Sequence, residues 1–251
     1  MKTLNDVTLV VIAGVDAAIP CSIASMEQSS SHIKYGSKKM FCSNTELAYK
    51  FLSDTDIKPI NLTLEGYSRF CIGELTHHIN TDFCLIVQGD GFVIHPDLWE
   101  DAFLDYDYIG APWSPVGPNE HLGNKPWVNR VGNGGFSLRS KKFLEASVPL
   151  ESKYNPLASY LDPQLPKGES PVPEDWFLCV HNYKHMLSKG IKFADPSIAA
   201  RFSVEHPVDE NRYDPTDLST YKSFGCHGST NTGAMNVLLK AVKDIKKEFG
   251  S

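Results

Sequence analysis

Leu85-Ile86-Val87-Gln88-Gly89-Asp90-Gly91-Phe92-Val93 is the stretch whose reading decides the fold. With Cys84 in front, its first residues make an apolar run short enough for a buried strand, and the run stops at a polar Gln88, two glycines and Asp90. One carboxylate is thereby placed on a pliable tip at a strand's carboxyl end, the edge where open α/β sheets collect ligands. The flanking glycines leave room for a metal-diphosphate to approach Asp90. Read alone, the same letters also describe a strand that ends in an ordinary Asp-Gly turn.

Upstream of this stretch the chain alternates strand and helix. Val7 to Ala13 is a β-branched run closed by Gly14, which predicts a central parallel strand, and Ala17 to Met26 predicts a helix with Pro20 in its first turn. Lys39 to Cys42 predicts a second strand, and Ser43-Asn-Thr-Glu46 has the capping-box pattern for a helix through Leu52. A third strand is expected over Ile57 to Leu62 and a helix over Glu65 to Ile79, with Phe70, Cys71, Ile72 and Leu75 on one face. Repeated β-α units predict an α/β fold with a mainly parallel central sheet flanked by helices.

Downstream the pattern is less regular. A short helix is expected over Pro96 to Leu104 and an aromatic strand over Tyr106 to Trp113. Residues 114–134 are rich in Pro, Gly and Asn and residues 149–173 in Pro, which predicts binding loops or lids. Between them lie a strand at Phe136 to Arg139 and a helix at Lys141 to Ala146. Pro173-Glu-Asp opens a helix that Gly190 ends. Strands are expected near Ile191 to Ala194 and Ala200 to Val204, then a loop at Phe224-Gly-Cys-His-Gly228 and an amphipathic helix from Ala234 to Phe249.

Composition narrows the function classes. Lys and Arg number 24 against 30 Asp and Glu, and the net charge of −6 argues against a nucleic-acid-coating surface or a polybasic membrane anchor. The six cysteines are scattered without a C-x-x-C pair and mostly sit in apolar runs, which predicts buried thiols in a reducing compartment. Cys226, beside His227 in a Gly-rich segment, is the one that could face a site. No apolar run reaches the length of a membrane span, and the acidic start leaves no signal-peptide core. A cytoplasmic protein is expected, with peripheral membrane contact left open.

Four features follow one another: Asp90 at a strand end, the Gly132-Asn-Gly-Gly135 turn, the acidic pair Glu174-Asp175 at a helix start, and His227 between glycines. In this order they resemble the GT-A class of nucleotide-sugar glycosyltransferases, in which a D-x-D type loop, a Gly-rich turn, an x-E-D motif and a late metal-binding His succeed one another. Within that class the chain resembles a bacterial and viral group of glycosyltransferase-like domains of unknown function. The motifs that carry the resemblance are Gln88-Gly-Asp-Gly-Phe92, Asp107-Tyr-Ile-Gly-Ala-Pro-Trp113, Gly132-Asn-Gly-Gly-Phe-Ser-Leu-Arg139, Glu174-Asp175 and Phe224-Gly-Cys-His-Gly228.

The resemblance implies a single GT-A type, Rossmann-like domain over 1–251, with a nucleotide-sugar-binding half at 1–113 and an acceptor-binding and catalytic half at 114–251. It implies transfer of a sugar from a nucleotide-sugar donor to a glycan, a lipid-linked glycan or another hydroxyl acceptor, as in polysaccharide biosynthesis. Asp90 and His227 would hold a divalent metal, Mn²⁺ or Mg²⁺, against the donor's diphosphate. Asp175, paired with Glu174, would be the catalytic base, which implies inversion at the anomeric carbon; its helix-start position is expected to keep it ionised. Ala13, Gly14, Val15, Tyr67, Arg69, Gln88, Gly89, Gly134 and Gly135 are the further donor-binding candidates, and Asp107, Trp113 and Trp176 the acceptor-binding ones. Arg130 and Arg139 flank the Gly turn as cations that could stand in for a metal.

One departure bears on the metal. A full D-x-D would place a second carboxylate at position 88, where this chain has Gln88, so Gln88 either bonds a sugar hydroxyl or leaves a weak cation site that the donor completes. Two other readings stay open. A nucleotidyltransferase shares the phosphate chemistry, but Ala13-Gly-Val-Asp-Ala-Ala18 lacks the basic Gly-rich loop usual after its first strand. A non-catalytic sugar-binding domain would tolerate the incomplete motif.

Overall fold

The computed structural model describes residues 1–113, 130–158, 171–208 and 212–249. Its strands are β1 (Lys2–Ala13), β2 (Ile33–Cys42), β3 (Asp56–Pro59), β4 (Phe83–Val87), β5 (Gly91–Val93), β6 (Tyr108–Ile109), β7 (Phe136–Ser140), β8 (Ser203–Val204) and β9 (Gly225–His227). Its helices are α1 (Ile19–Ser30), α2 (Thr45–Phe51), α3 (Leu64–Arg69), α4 (Lys141–Ser147), α5 (Glu174–Trp176), α6 (Tyr183–Ser188), α7 (Pro196–Phe202) and α8 (Thr232–Phe249), joined by shorter helical turns.

Among the described residues, six strands form one sheet in the order β3-β2-β1-β4-β7-β6. The pairs β1/β2, β1/β4 and β2/β3 are parallel, while β7 is antiparallel to both neighbours and alone runs against the rest. The expected α/β class with a mainly parallel sheet is therefore what the chain forms. Leu9 to Ala13 and Cys84 to Val87 are buried throughout, as central strands covered on both faces must be. A second sheet, β5-β9-β8, lies beyond β4 in the chain and joins the first through Phe136, Phe202 and Phe224, whose ring centroids are 5.3–6.0 Å apart. Helix α8 lays Ala234, Leu238, Val242 and Ile245 inward and contacts α1. Among the described residues no helix is long and apolar enough to cross a membrane.

Several elements differ from their sequence expectations for definite reasons. β1 and β2 begin earlier, at Lys2 and Ile33, because the added residues alternate: Ile33 and Tyr35 point inward while Lys34 faces out. The helix expected over Glu65 to Ile79 is α3, a π-helical turn at Phe70–Glu74 and a 3₁₀ turn at Leu75–His78. The helix after Pro173 is broken in the same way by a π-helical turn at Phe177–His181. Pro196 starts α7, so the stretch expected as strand, Ala200 to Val204, is strand only at its last two residues. Phe193 makes an isolated bridge to Tyr108 in place of a strand, the aromatic strand shrinks to Tyr108–Ile109, and the helix at Pro96 to Leu104 is two 3₁₀ turns. The segment around His227, expected as loop, is strand β9. Most of the two expected binding loops, at 114–129 and 159–170, lies outside the described residues.

Candidate functional site

β4 delivers Val87 to the carboxyl edge of the sheet beside Val11, and the backbone then leaves the sheet. Gln88 N–H donates to the Gly135 carbonyl at 2.9 Å, and Gly91 N–H to the Gln88 carbonyl at 3.0 Å, so the Gln88-Gly-Asp turn is pinned to the start of β7. β9 pairs antiparallel with β5 in a register that sets His227 opposite Gly91, and Gly228 N–H donates to the Asp90 carbonyl at 3.0 Å. A pair of short strands thus carries His227 to Asp90 across the length of the chain.

The side chains converge. His227 Nε2 lies 3.2 Å from Asp90 Oδ1 and 3.1 Å from Gln88 Oε1, and Nδ1 lies 3.7 Å from Glu205 Oε1, an ion-pair distance. Burial alone would push the imidazole pKa down, but the Asp90 and Glu205 carboxylates outweigh it and bring His227 up to about 10. Asp90 is held below its ordinary value, burial opposing and the His227 contact prevailing. Glu205, just past β8, escapes any motif reading: it enters only because β8 runs beside β9.

Gly134 and Gly135 join this cluster to the acidic pair. A Cβ on Gly135 would sit 2.0 Å from His227 Nε2 and 2.7 Å from Gln88 Oε1, so only glycine permits the approach. The Gly134 N–H donates to Asp175 Oδ2 at 2.9 Å, and the other oxygen accepts from its own helix start, Trp176 N–H, at 2.7 Å. The helix start was expected to keep Asp175 ionised at neutral pH. Burial, with the neighbouring Glu174 charge second, pushes it up to about 6 against those two N–H donors and Arg139. It still ionises below neutrality, at a value suited to a general base.

Glu174, expected beside Asp175 in the catalytic pair, is turned away into the core. It accepts from Arg139 Nη2 at 2.7 Å, and the two side chains are 4% and 0% exposed. Arg139 also donates to Ser137 Oγ and reaches the Gly134 carbonyl, which makes the pair a support for the Gly turn. Arg130 lies 4.0 Å over the Tyr183 ring and donates to the Cys179 and Val180 carbonyls. Both arginines proposed as substitutes for a metal are thus committed elsewhere.

The remaining candidates divide. Ala13, Gly14 and Val15 end β1 at the same sheet edge, Val15 half-exposed. Gly89 packs tightly on α1, where a Cβ would come within 2.9 Å of Cys21 Cβ. Tyr67 on α3 accepts from Gln88 Nε2 at 2.9 Å. Arg69, two residues on, is tied to Glu65 and Glu151 instead. Trp113 and Trp176 are half-buried with centroids 5.1 Å apart, and the Trp113 ring covers Gly132, so they form an aromatic wall beside Asp175. Asp107 does not join them. Its carboxylate accepts from Ser140 Oγ, Lys142 Nζ and Lys192 N–H, and Ser140 pairs with Phe83 at the amino edge of β4, the opposite end of the sheet. Cys226 is buried rather than facing the site.

Asn133 was missed as an individual residue. It adopts φ 62°, is 3% exposed, and among the described residues neither amide atom has a hydrogen-bond partner. Left-handed backbone and an unpartnered buried amide both destabilise the resting fold. Asn133→Gly is therefore expected to raise the unfolding free energy by on the order of 1 kcal/mol. A urea unfolding midpoint that fell instead would assign the amide a stabilising contact.

A family model described as "Protein of unknown function (DUF5672)" matches residues 52–227. No curated protein matches the chain. Among solved structures, the bifunctional IspDF from Campylobacter jejuni is similar over 58% of this chain and 43% of its own, at 12% identity and a TM-score of 0.39. The chain thus spans less than half the length of that protein. A197 from STIV is similar over 58% of this chain and 68% of its own, at 14% identity and a TM-score of 0.32.

Proposed function

The chain belongs to the DUF5672 family, and we propose that it is a nucleotide-sugar glycosyltransferase with a GT-A type site, transferring a sugar to a hydroxyl acceptor with inversion. The observation that carries this reading is the meeting, at one sheet edge, of Gln88, Asp90 and His227 with Asp175, joined through the adjacent Gly134 and Gly135.

The residues fit a divalent cation. The spacing of His227 Nε2 from Asp90 Oδ1 and Gln88 Oε1, 3.2 and 3.1 Å, is close to the ~3 Å between neighbouring ligands of a cation with ~2.1 Å bonds. Asp90 and His227 would hold it, and when bound it would neutralise charge on a departing diphosphate. The other steps belong to side chains. Asp175, fixed by the Gly134 and Trp176 N–H groups, takes the proton of the acceptor hydroxyl as that oxygen bonds the anomeric carbon and the bond to the diphosphate oxygen breaks. Trp113 and Trp176 offer ring faces on which the C–H face of an acceptor sugar can lie. Such an enzyme would take a glycan or lipid-linked glycan as acceptor.

A panel of nucleotide-sugars, assayed for nucleoside diphosphate release with and without Mn²⁺, tests the proposal. One donor is expected to release diphosphate slowly without acceptor, and Asp90→Ala to weaken its binding at least about tenfold and remove the Mn²⁺ effect. Binding of sugars with no release from any donor would favour a non-catalytic binding domain.

A further inference from the structure

We propose that Gln88 is a third protein ligand of the divalent cation, through its side-chain carbonyl, and that Tyr67 is the positioning residue that turns the amide to present it. The inference deepens the proposed function and rests on it, since it concerns the same cation. Among the described residues, no three His, Cys, Asp or Glu side chains come together as a metal site. If a cation binds at Asp90 and His227, a further ligand from among the described residues is of another residue type. The candidate in place is Gln88, with Oε1 at 3.1 Å from His227 Nε2, alongside Asp90 Oδ1 at 3.2 Å.

The arrangement of lone pairs supports this. The Glu205 carboxylate faces Nδ1 at 3.7 Å and favours the proton on that nitrogen. Nε2 then meets two oxygens, a carboxylate and an amide carbonyl, neither of which has a proton to offer. With the imidazole protonated, Nε2–H donates to these two oxygens; a divalent cation would take the place of that proton and meet the same two oxygens and the Nε2 lone pair.

Orientation is the second half of the inference. A glutamine amide has one acceptor end and one donor end, so it coordinates only when turned the right way. The Tyr67 hydroxyl accepts from Gln88 Nε2 at 2.9 Å, which turns Oε1 toward His227. Tyr67 is itself seated on α3, ahead of the π-helical turn. A site of one carboxylate, one amide and one imidazole carries a single negative charge. Such a site holds a divalent cation weakly by itself and more firmly once a diphosphate adds its oxygens.

The test is direct Mn²⁺ binding to the whole protein, read as loss of the free-ion electron paramagnetic resonance signal, with Mn²⁺ alone and with Mn²⁺ plus inorganic pyrophosphate. Wild type is expected to bind Mn²⁺ weakly, and at least about tenfold more tightly with pyrophosphate. Gln88→Leu should weaken binding about tenfold or more, and Gln88→Glu should tighten Mn²⁺ alone by a similar factor while shrinking the pyrophosphate effect. Tyr67→Phe should weaken binding about tenfold in the native background. It should have little effect in the Gln88→Glu background, because a carboxylate presents an oxygen either way round. A Tyr67 that only supported the fold would weaken both backgrounds equally, and that result overturns its positioning role. Unchanged Mn²⁺ affinity in Gln88→Leu, with loss in Asp90→Ala, overturns Gln88 as ligand and leaves the cation site standing. No Mn²⁺ bound by wild type, with or without pyrophosphate, overturns this inference and the cation on which the proposed function draws. Near-ultraviolet circular dichroism of each variant separates these outcomes from misfolding.

Discussion

Asp175→Asn is expected to lower sugar transfer by about 10²–10⁴-fold while donor binding stays within a few-fold. The substituted amide keeps the volume of the carboxylate and loses its capacity to accept a proton. It also keeps only one acceptor oxygen where two backbone N–H groups, of Gly134 and Trp176, now find one each. Its amino group must therefore face one of those donors, at a stability cost of about 1–3 kcal/mol, which a urea titration would register separately from activity. The pH profile gives a further check. Burial and Glu174 bring the Asp175 pKa up to about 6, so the base is lost as pH falls through that value and fully present above it. Wild-type kcat/KM should rise with pH up to about 6 and then level; residual activity of the variant should lack that limb. Wild-type turnover in Asp175→Asn would remove Asp175 as the base.

Glu174→Gln should be the more damaging change to the fold. Arg139 and Glu174 are 0% and 4% exposed, so a neutral partner leaves a guanidinium without its counter-charge in the core. Removing one member of such a buried pair costs about 3–5 kcal/mol. The double variant Arg139→Met/Glu174→Met removes both charges and is expected to recover most of that loss. Activity need not recover with it, because Arg139 also bonds Ser137 Oγ and the Gly134 carbonyl and so helps shape the turn that holds Asp175. Equal stability of Glu174→Gln and wild type, measured by chemical unfolding, would contradict a structural role for the pair.

These two neighbouring acids show where the sequence was informative and where it stopped. Pro173-Glu-Asp marked a helix start, but nothing local says that Glu174 turns to an arginine 35 residues earlier while Asp175 meets the Gly turn. The alternating first half was legible because apolar runs and helix starts are short-range signals: Val7 to Ala13 and the Leu85 stretch do their work within a few residues, and the helix expected after Ser43 forms, although its cap is Asn44, one residue on from the Ser43 of the capping-box pattern. Asp90 and His227 were legible as types in order. Glu205 was not, since a lone acid after a two-residue strand has no pattern. Asp107 was misplaced because its motif sits beside Trp113 in sequence, whereas the strand between them carries the two toward opposite edges of the sheet. The π-helical turns escaped because helical periodicity averages over a single inserted residue.

The pairing of β5 with β9 also sets an order of assembly. Gln88 and His227 lie 139 residues apart, so on a ribosome adding about 5–20 residues per second the first waits roughly 7–28 s for the second. During that interval β1 to β4 can dock, but β5 has an open edge and Asp90 faces no imidazole. The three-residue length of β5 keeps that exposed edge short. A chain stalled or cut before Gly225 would thus hold all six strands of the large sheet, with Gln88 and Asp90 in place but no His227, so the proposed cation site would be completed only with the last strand.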